Sequence, residues 1–159
     1  MTVLSSVKMA GMPAPAPDLP YLLLAAATEV TDAVHAGVQA AGFTDVRPTH
    51  GFVFVRLAPA GATIGEIADH LGVTKQAASQ LVDELLRKGY VARGPHPADA
   101  RAKLVTLTER GWACTRAADA AAAAWLRRAG ERVGAGTLAE VRDALAGLVT
   151  PGRIRPAAW

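Results

Sequence analysis

The residues with the clearest chemical potential are polar side chains that recur along residues 74–88. At helical spacing, one face of this stretch carries Lys75, Gln76, Ser79, Gln80, Asp83 and Arg87. Gln76 and Gln80 lie one turn apart, so both can meet base edges in a DNA major groove, where glutamine pairs with adenine N6 and N7. Lys75 and Arg87 suit phosphate oxygens. The alternative interpretation of this face is a solvated helix surface without a partner.

The charge of the chain is distributed unevenly. Residues 1–73 hold three basic and six acidic side chains, whereas residues 74–159 hold fourteen basic and eight acidic ones. The net charge of +3 therefore conceals a basic second half, which favours a polyanionic partner for one surface. Chance variation in the surface composition of a small protein is the other explanation.

Two helices and a tight turn are predicted to position this face. Thr63 and Glu66 have the spacing of a capping box and predict a helix over residues 64–71. Gly72 suits a left-handed turn, and a threonine caps the second helix, over residues 74–88. Ala68 and Ala78 are small where the two helices cross. The predicted core beneath them consists of Ile67, Leu71, Val73, Leu81, Val82 and Leu85.

A β-hairpin follows the second helix. Residues 90–93 and 103–107 are short strand-like runs, and the polar residues 94–102 between them predict a long tip. A short capped helix, a glycine turn, a second helix and a hairpin are the layout of a winged helix-turn-helix.

Four further segments flank this layout and are predicted to be helical. They cover residues 20–41, 50–57, 108–132 and a last helix opened by the capping-box pattern of Thr137 and Glu140 and ended by Pro151. The run at residues 52–55 can also be interpreted as a strand. The predicted fold class is mainly α with a small β-hairpin wing, a winged helix-turn-helix with additional N- and C-terminal helices.

The stretch IADHLGVTKQAASQLVDELLRKGYVAR is followed by HPADARAKLVTLTERG, in which Asp99, Arg101, Leu107, Thr108 and Gly111 form the pattern D-x-R…L-T-x-x-G. With this wing signature, residues 50–112 resemble the MarR family of bacterial transcriptional regulators. The resemblance implies a homodimer that binds a palindromic operator and is often released by a small ligand or an oxidant.

The resemblance and the residue types together define a candidate DNA-binding set. Arg101 near the hairpin tip suits a narrow minor groove, although an ordinary loop arginine is the alternative, and Asp99 would hold the tip or pair with a basic neighbour. The complete predicted set is Thr74, Lys75, Gln76, Ser79, Gln80, Arg87, Arg93, Asp99, Arg101 and Lys103.

The flanking helices are implied to form a dimer, with double-stranded DNA and a second copy of the chain as partners. The candidate interface residues are Tyr21, Leu24, Trp125, Leu126, Leu138, Val141, Leu145 and Leu148. Packing within one chain is the alternative for some of them. The corresponding domain plan is an N-terminal arm (1–19), a dimerisation helix and connection (20–48), the DNA-binding lobe (49–108), C-terminal dimerisation helices (109–150) and a tail (151–159).

The family's ligand pocket lies between the dimerisation helices and the DNA-binding lobe, which implies a small aromatic or phenolic effector here. The candidate lining residues are His35, His50, Phe52, Arg56 and Trp112, each of which could instead belong to the core or the surface. Cys114 follows in the fifth helix, whereas the family's peroxide sensors place a reactive cysteine near the first, so we expect a buried, inert thiol.

Other classes of protein are disfavoured by the sequence. No G-x-S-x-G, H-E-x-x-H, glycine-rich phosphate loop or C-x-x-C motif occurs, so we expect no enzyme and no cofactor. The single cysteine excludes an internal disulfide, and the histidines form only helix-spaced pairs with acids, so no metal site is expected. Without an export signal or a membrane span, a cytoplasmic location is expected. A winged-helix module for protein interaction, without DNA binding, remains the alternative function.

Overall fold

A computed structural model describes residues 18–150, apart from the side chains of residues 99–101. The predicted N-terminal arm and C-terminal tail therefore lie almost entirely outside the described residues. In chain order the elements are α1 (Leu19–Ala40), α2 (Pro48–Leu57), α3 (Ile64–Leu71), α4 (Lys75–Arg87), β1 (Val91–His96), β2 (Asp99–Leu107), α5 (Glu109–Val133) and α6 (Ala135–Leu148). The predicted fold class, mainly helical with a hairpin wing, is confirmed.

The turn between α3 and α4 forms as its residues predict. The Thr63 hydroxyl accepts a hydrogen bond from the Glu66 N–H at 3.3 Å, and the Glu66 carboxylate accepts one from the Thr63 N–H at 2.8 Å. Gly72 ends α3 in the left-handed conformation with φ of 67°, which glycine adopts without steric cost. Thr74 then caps α4 by accepting from the Ala77 N–H at 3.2 Å. These local signals fix the angle at which α4 leaves α3.

The hairpin is longer and its tip tighter than predicted. β1 and β2 pair antiparallel from Val91 opposite Leu107 to His96 opposite Asp99, with an irregularity after Pro95, so only two residues form the turn. The prediction of a long loop over residues 94–102 is therefore wrong. The prediction treated a polar run as a loop, but both strands of a two-stranded ribbon are exposed edge strands, which accommodate polar residues and proline.

Two other sequence expectations require correction. The run at residues 52–55 is helical, within α2, so the strand interpretation is wrong; Pro48 occupies the first turn, where its missing N–H costs nothing. Thr137 does not cap the last helix, because α6 already begins at Ala135 after Gly134. Thr137 thus lies inside the first turn, and no side chain caps this helix. The predicted end at Pro151 lies outside the described residues.

The core joins the winged lobe to the long helices. Of the predicted core residues, Ile67, Leu71, Val82 and Leu85 are fully buried, and Val73 and Leu81 are half-buried at its edge. The small residues Ala68 and Ala78 are also buried, as expected for closely crossing helices. Tyr90 is the largest fully buried side chain of the described residues and lies between α4 and the wing.

Helix α5 approaches the wing so closely that only glycine fits at its start. A β-carbon on Gly111 would lie 2.2 Å from the Tyr90 carbonyl oxygen. Along its length α5 packs mainly on α1 and also contacts α2, so the two long helices and the winged lobe form one unit. None of the helices within residues 18–150 has the length and hydropathy required to span a membrane.

Candidate nucleic-acid interface and ligand cavity

The outer face of α4 presents the polar residues that the sequence predicts. Lys75, Gln76, Gln80 and Arg87 are exposed, and Ser79 is partly exposed. The opposite face is buried in the core at Ala78, Val82 and Leu85, so α4 cannot rotate its polar side chains inward. The Thr74 hydroxyl oxygen accepts the capping hydrogen bond from the Ala77 N–H, which positions Thr74 at the start of the helix.

The wing lies beside α4 and is tied to it. Arg93 of β1 donates a hydrogen bond to the Asp83 carboxylate of α4 at 2.9 Å, so part of its predicted charge toward DNA is neutralised within the chain. Lys103 of β2 is exposed. Asp99 begins β2 and Arg101 follows it in the same strand, next to the turn, while their side chains lie outside the described part.

A partly buried polar network that the sequence did not predict holds the other end of α4. The Glu84 carboxylate accepts hydrogen bonds from Arg47, which precedes α2, and from the Lys88 ammonium, at 2.7 Å for Lys88. The Lys88 ammonium also donates to the Asp45 carbonyl oxygen. The Lys88 hydrogen bond, with the nearby positive charges, lowers the pKa of Glu84 to about 2. Glu84 is therefore ionised at neutral pH and anchors α4 to the connection between α1 and α2.

His50 is the remaining member of this network and contacts both Arg47 and Glu84. Its side chain is fully buried, and its Nδ1 accepts from the Arg47 backbone N–H at 3.1 Å, so the neutral ring carries its hydrogen on Nε2, 3.4 Å from the Glu84 carboxylate. Burial lowers the pKa of His50, against the opposing attraction of Glu84. His50 is thus a structural link and does not line the cavity described next.

A second polar cluster joins the segment between α1 and α2 to α5. The Tyr90 hydroxyl donates to the Asp45 carboxylate at 2.6 Å, and the Arg110 guanidinium lies 4.4 Å from the centre of the Tyr90 ring. Burial, together with the bond to Asp45, raises the pKa of Tyr90 to about 12. The Arg110 guanidinium of α5 also donates to the Asp45 carboxylate at 3.3 Å. Asp45 therefore accepts hydrogen bonds from α5 and from Lys88 and Tyr90, which follow α4.

A cavity of about 250 Å³ lies between α1, α2 and α5. Its walls are almost entirely apolar, and its lining residues are Val30, Thr31, Val34, His35, Val38, Val46, Arg47, Pro48, Gly51, Phe52, Phe54, Val55, Cys114, Ala118, Asp119 and Ala122. This position, between the long helices and the winged lobe, is the one expected for a ligand pocket.

Only two of the five predicted lining residues, His35 and Phe52, reach this cavity. Arg56 points away, donating to the Gly61 carbonyl oxygen at 3.2 Å and to Glu66 at 2.7 Å, so it holds the connection between α2 and α3. His50 lies in the core, and Trp112 is 38% exposed near the start of α5. Cys114 lines the cavity instead, and burial raises the pKa of its thiol to about 11, as expected of an unreactive cysteine.

Comparison with known proteins agrees with this geometry. The model of the MarR family matches residues 44–102. The resemblance to the MarR family is confirmed. No curated protein sequence matches the chain significantly.

Solved structures of MarR-family transcription regulators extend the likeness over nearly the whole chain. A MarR-family regulator from Rhodococcus sp. RHA1 is 26% identical, with a TM-score of 0.69 over 90% of this chain and 100% of that one. CouR from Rhodococcus jostii RHA1, solved with p-coumaroyl-CoA, is 27% identical, with a TM-score of 0.69 over 89% and 100%. A point mutant of S. aureus MepR bound to an oligodeoxyribonucleotide is 19% identical with a TM-score of 0.58 over 84% and 96%, and shares the fold.

The two ends of this MarR-like chain leave apolar side chains uncovered. Tyr21 and Leu24 of α1 are 66% and 60% exposed, and Leu126, Val141 and Leu148 are exposed as well. Of the other predicted interface residues, Trp125, Leu138 and Leu145 are half-buried. Helix α6 has no buried residue. Among the described elements, α5 is the only one on which it packs extensively. Burial in the core of its own chain therefore does not stabilise α6.

Proposed function

We propose that this protein is a transcriptional repressor that binds a palindromic DNA operator as a homodimer. The observation that carries the proposal is the exposed polar face of α4, with Gln76 and Gln80 one turn apart and a basic wing beside it. A helix fixed in this way can enter a major groove while the wing follows the adjacent backbone or minor groove. The overlap with known MarR-family regulators supports the same conclusion.

The dimer is supported by the uncovered apolar faces of α1 and α6. Soluble monomers rarely leave large contiguous apolar surfaces in water, whereas homodimer interfaces are apolar at their centres. Two copies joined through these terminal helices would present two α4 helices, and a two-fold axis between them requires an operator with matching symmetry.

The test is a selection from random DNA duplexes followed by titration of the recovered sequence. We expect a consensus with dyad symmetry and half-site centres about 10 base pairs apart, or a multiple of that spacing. Affinity for the consensus should fall steeply with added salt and exceed that for a scrambled duplex of equal composition. Equal affinity for both duplexes, or no dependence on salt, would contradict DNA recognition and favour the protein-interaction alternative.

We further infer that a small aromatic or phenolic molecule in the cavity releases the protein from DNA. The cavity exceeds the roughly 150 Å³ of an apolar cavity that accommodates benzene, so one ring with a short chain fits. The structure of CouR with p-coumaroyl-CoA, whose acyl group is aromatic, supports an aromatic ligand for a related fold.

A further inference from the structure

Arg47 belongs both to the cavity and to the network that holds α4. It contributes to the cavity lining, and its guanidinium pairs with the Glu84 carboxylate of α4. Its backbone is fixed, because its N–H donates to His50 at the first turn of α2, but its side chain is 58% exposed. The guanidinium, which also lies 3.3 Å from His50 Nε2, can therefore turn between two partners while the backbone hydrogen bond at the start of α2 stays in place.

Glu84 can lose Arg47 without becoming an unpaired charge. The Lys88 ammonium, 2.7 Å away, and the buried ring of His50, 3.4 Å away, remain beside it. A carboxylate with two remaining partners avoids most of the cost of leaving a buried ion alone. Exchange of the Arg47 partner is therefore energetically accessible, although it removes one of the bonds between α4 and the connection before α2.

The chemistry of the lining defines which ligand could drive this exchange. Among the described lining residues, Arg47 alone has a permanent positive charge, and most of the others are apolar. Asp119, at the same cavity, is exposed on α5, where solvent screens its repulsion of an anionic ligand. A guanidinium binds a carboxylate through two parallel hydrogen bonds, so a carboxylate is the group that competes best with Glu84.

We propose that Arg47 is the sensing residue, exchanging Glu84 for the carboxylate of a small apolar acid bound in the cavity and thereby loosening α4. This inference rests on the proposed function for its regulatory meaning, but the exchange itself does not involve DNA. By thermodynamic linkage, the acid weakens the Arg47–Glu84 pair by the same free energy by which the pair weakens binding of the acid.

The exchange can be tested by calorimetry on the full chain without DNA, using three probes of one shape: 3-phenylpropanoate, its neutral amide and the corresponding amine, 3-phenylpropylamine. We expect the acid to bind roughly tenfold or more tightly than the amide, since hydrogen bonds to charged groups exceed neutral ones by about that factor. In Arg47→Gln the acid and the amide should bind equally. In Glu84→Gln the acid should bind more tightly than to the unaltered chain, and the amide should not.

The matched control is Arg56→Gln, which also removes an arginine from a pair with a glutamate but lies outside the cavity lining. Its preference for the acid should be unchanged. The inference is overturned if the acid and amide bind the unaltered chain equally, if Arg47→Gln keeps the preference, if the amine binds best, or if none of the probes binds.

A second measurement tests whether the exchange of the Arg47 partner weakens DNA binding. At a saturating concentration the acid should weaken operator binding by the unaltered chain at least about fivefold, the lower range of typical couplings. The same acid should have a smaller effect on Glu84→Gln, in which the pair is already broken. If the chain binds no DNA at all, the proposed function fails while the calorimetric result still decides the exchange; if DNA binds but the acid does not, the exchange alone fails.

Discussion

At the scale of single residues, the two glutamines of α4 should determine which sequence is bound. Gln76→Ala and Gln80→Ala each remove hydrogen bonds to a base edge and should cost about 1–3 kcal/mol on the selected operator and little on random DNA. Both side chains are exposed, so thermal unfolding should be unchanged. Gln39→Ala, on an exposed position of α1, is the control and should preserve operator preference. Fluorescence anisotropy on operator and random duplexes measures both affinities.

The wing arginine should act differently. Arg101→Ala should weaken binding to operator and random DNA alike, because a wing arginine contributes through its charge in the minor groove. Its removal should also lower the salt slope of log affinity by about one unit. If Arg101→Ala abolishes operator preference while both glutamine variants keep it, specificity lies in the wing and in the shape of the DNA, and the assignment of α4 as the reading helix is wrong.

Glu84 should make stability depend on pH. Its pKa is lowered to about 2 in the folded protein, chiefly by the Lys88 hydrogen bond, so the stabilising contribution is complete above the pKa of the unfolded chain and is lost as the pH falls toward 2. Glu84→Gln should therefore lower the free energy of unfolding at pH 7, and the difference from the unaltered chain should shrink below about pH 4.5. Urea unfolding at pH 7 and pH 3 tests this expectation.

The control for that experiment is Glu109→Gln. Glu109 also pairs with an arginine, at 2.9 Å, but its side chain is 86% exposed, so solvent screens the pair. Because Glu109 lies in the first turn of α5, this variant should lose at most about 0.3–1 kcal/mol of favourable interaction with the helix dipole, less than Glu84→Gln. A similar loss in the two variants would show that general charge, not the network around Glu84, governs the dependence on pH.

At the scale of elements, the contact between α5 and the wing has no space for a side chain. Gly111→Ala would place its β-carbon 2.2 Å from the Tyr90 carbonyl oxygen, so α5 or β1 must move. We expect a loss of about 1–3 kcal/mol in the free energy of unfolding, as for overpacked cores. Gly51→Ala on α2, where the added methyl meets nothing within 4 Å, should instead be neutral or slightly stabilising. Equal effects in chemical denaturation would contradict the close approach.

The elements that could be predicted from sequence are those whose ends are set by neighbouring residues. Thr63, Glu66 and Gly72 define α3 to the residue, because a cap and a left-handed turn depend only on local chain geometry. The wing tip depends on pairing between strands, and its polar residues indicated a loop where strand pairing continues. Thr137 has the pattern of a cap but follows the true start of α6 by two residues.

The candidate sites show the same contrast between features set by neighbouring residues and features set by contacts distant in sequence. The polar face of α4 follows from helical spacing alone, so the predicted glutamines were found exposed. The Arg47–Glu84 pair joins residues 37 positions apart, and nothing in the local sequence of either residue indicates it. The cavity is likewise closed by α5, which is distant in sequence from α1 and α2, and for that reason three of its five predicted lining residues lie elsewhere.

At the scale of the whole molecule, the terminal helices should decide the oligomeric state. A chain ending at Gly136 loses nearly all of α6, including the apolar residues Leu138, Val141, Leu145 and Leu148. Because α6 contributes no buried residue to its own chain, the winged lobe should still fold, but the dimer should dissociate or the exposed surface should aggregate. A chain ending at Thr150 keeps α6 and is the control, which should remain dimeric. Sedimentation velocity over a range of concentrations measures the difference, with circular dichroism as the check on folding. A well-folded dimer from the shorter chain would place the interface elsewhere, and a palindromic operator would then require a different two-fold axis.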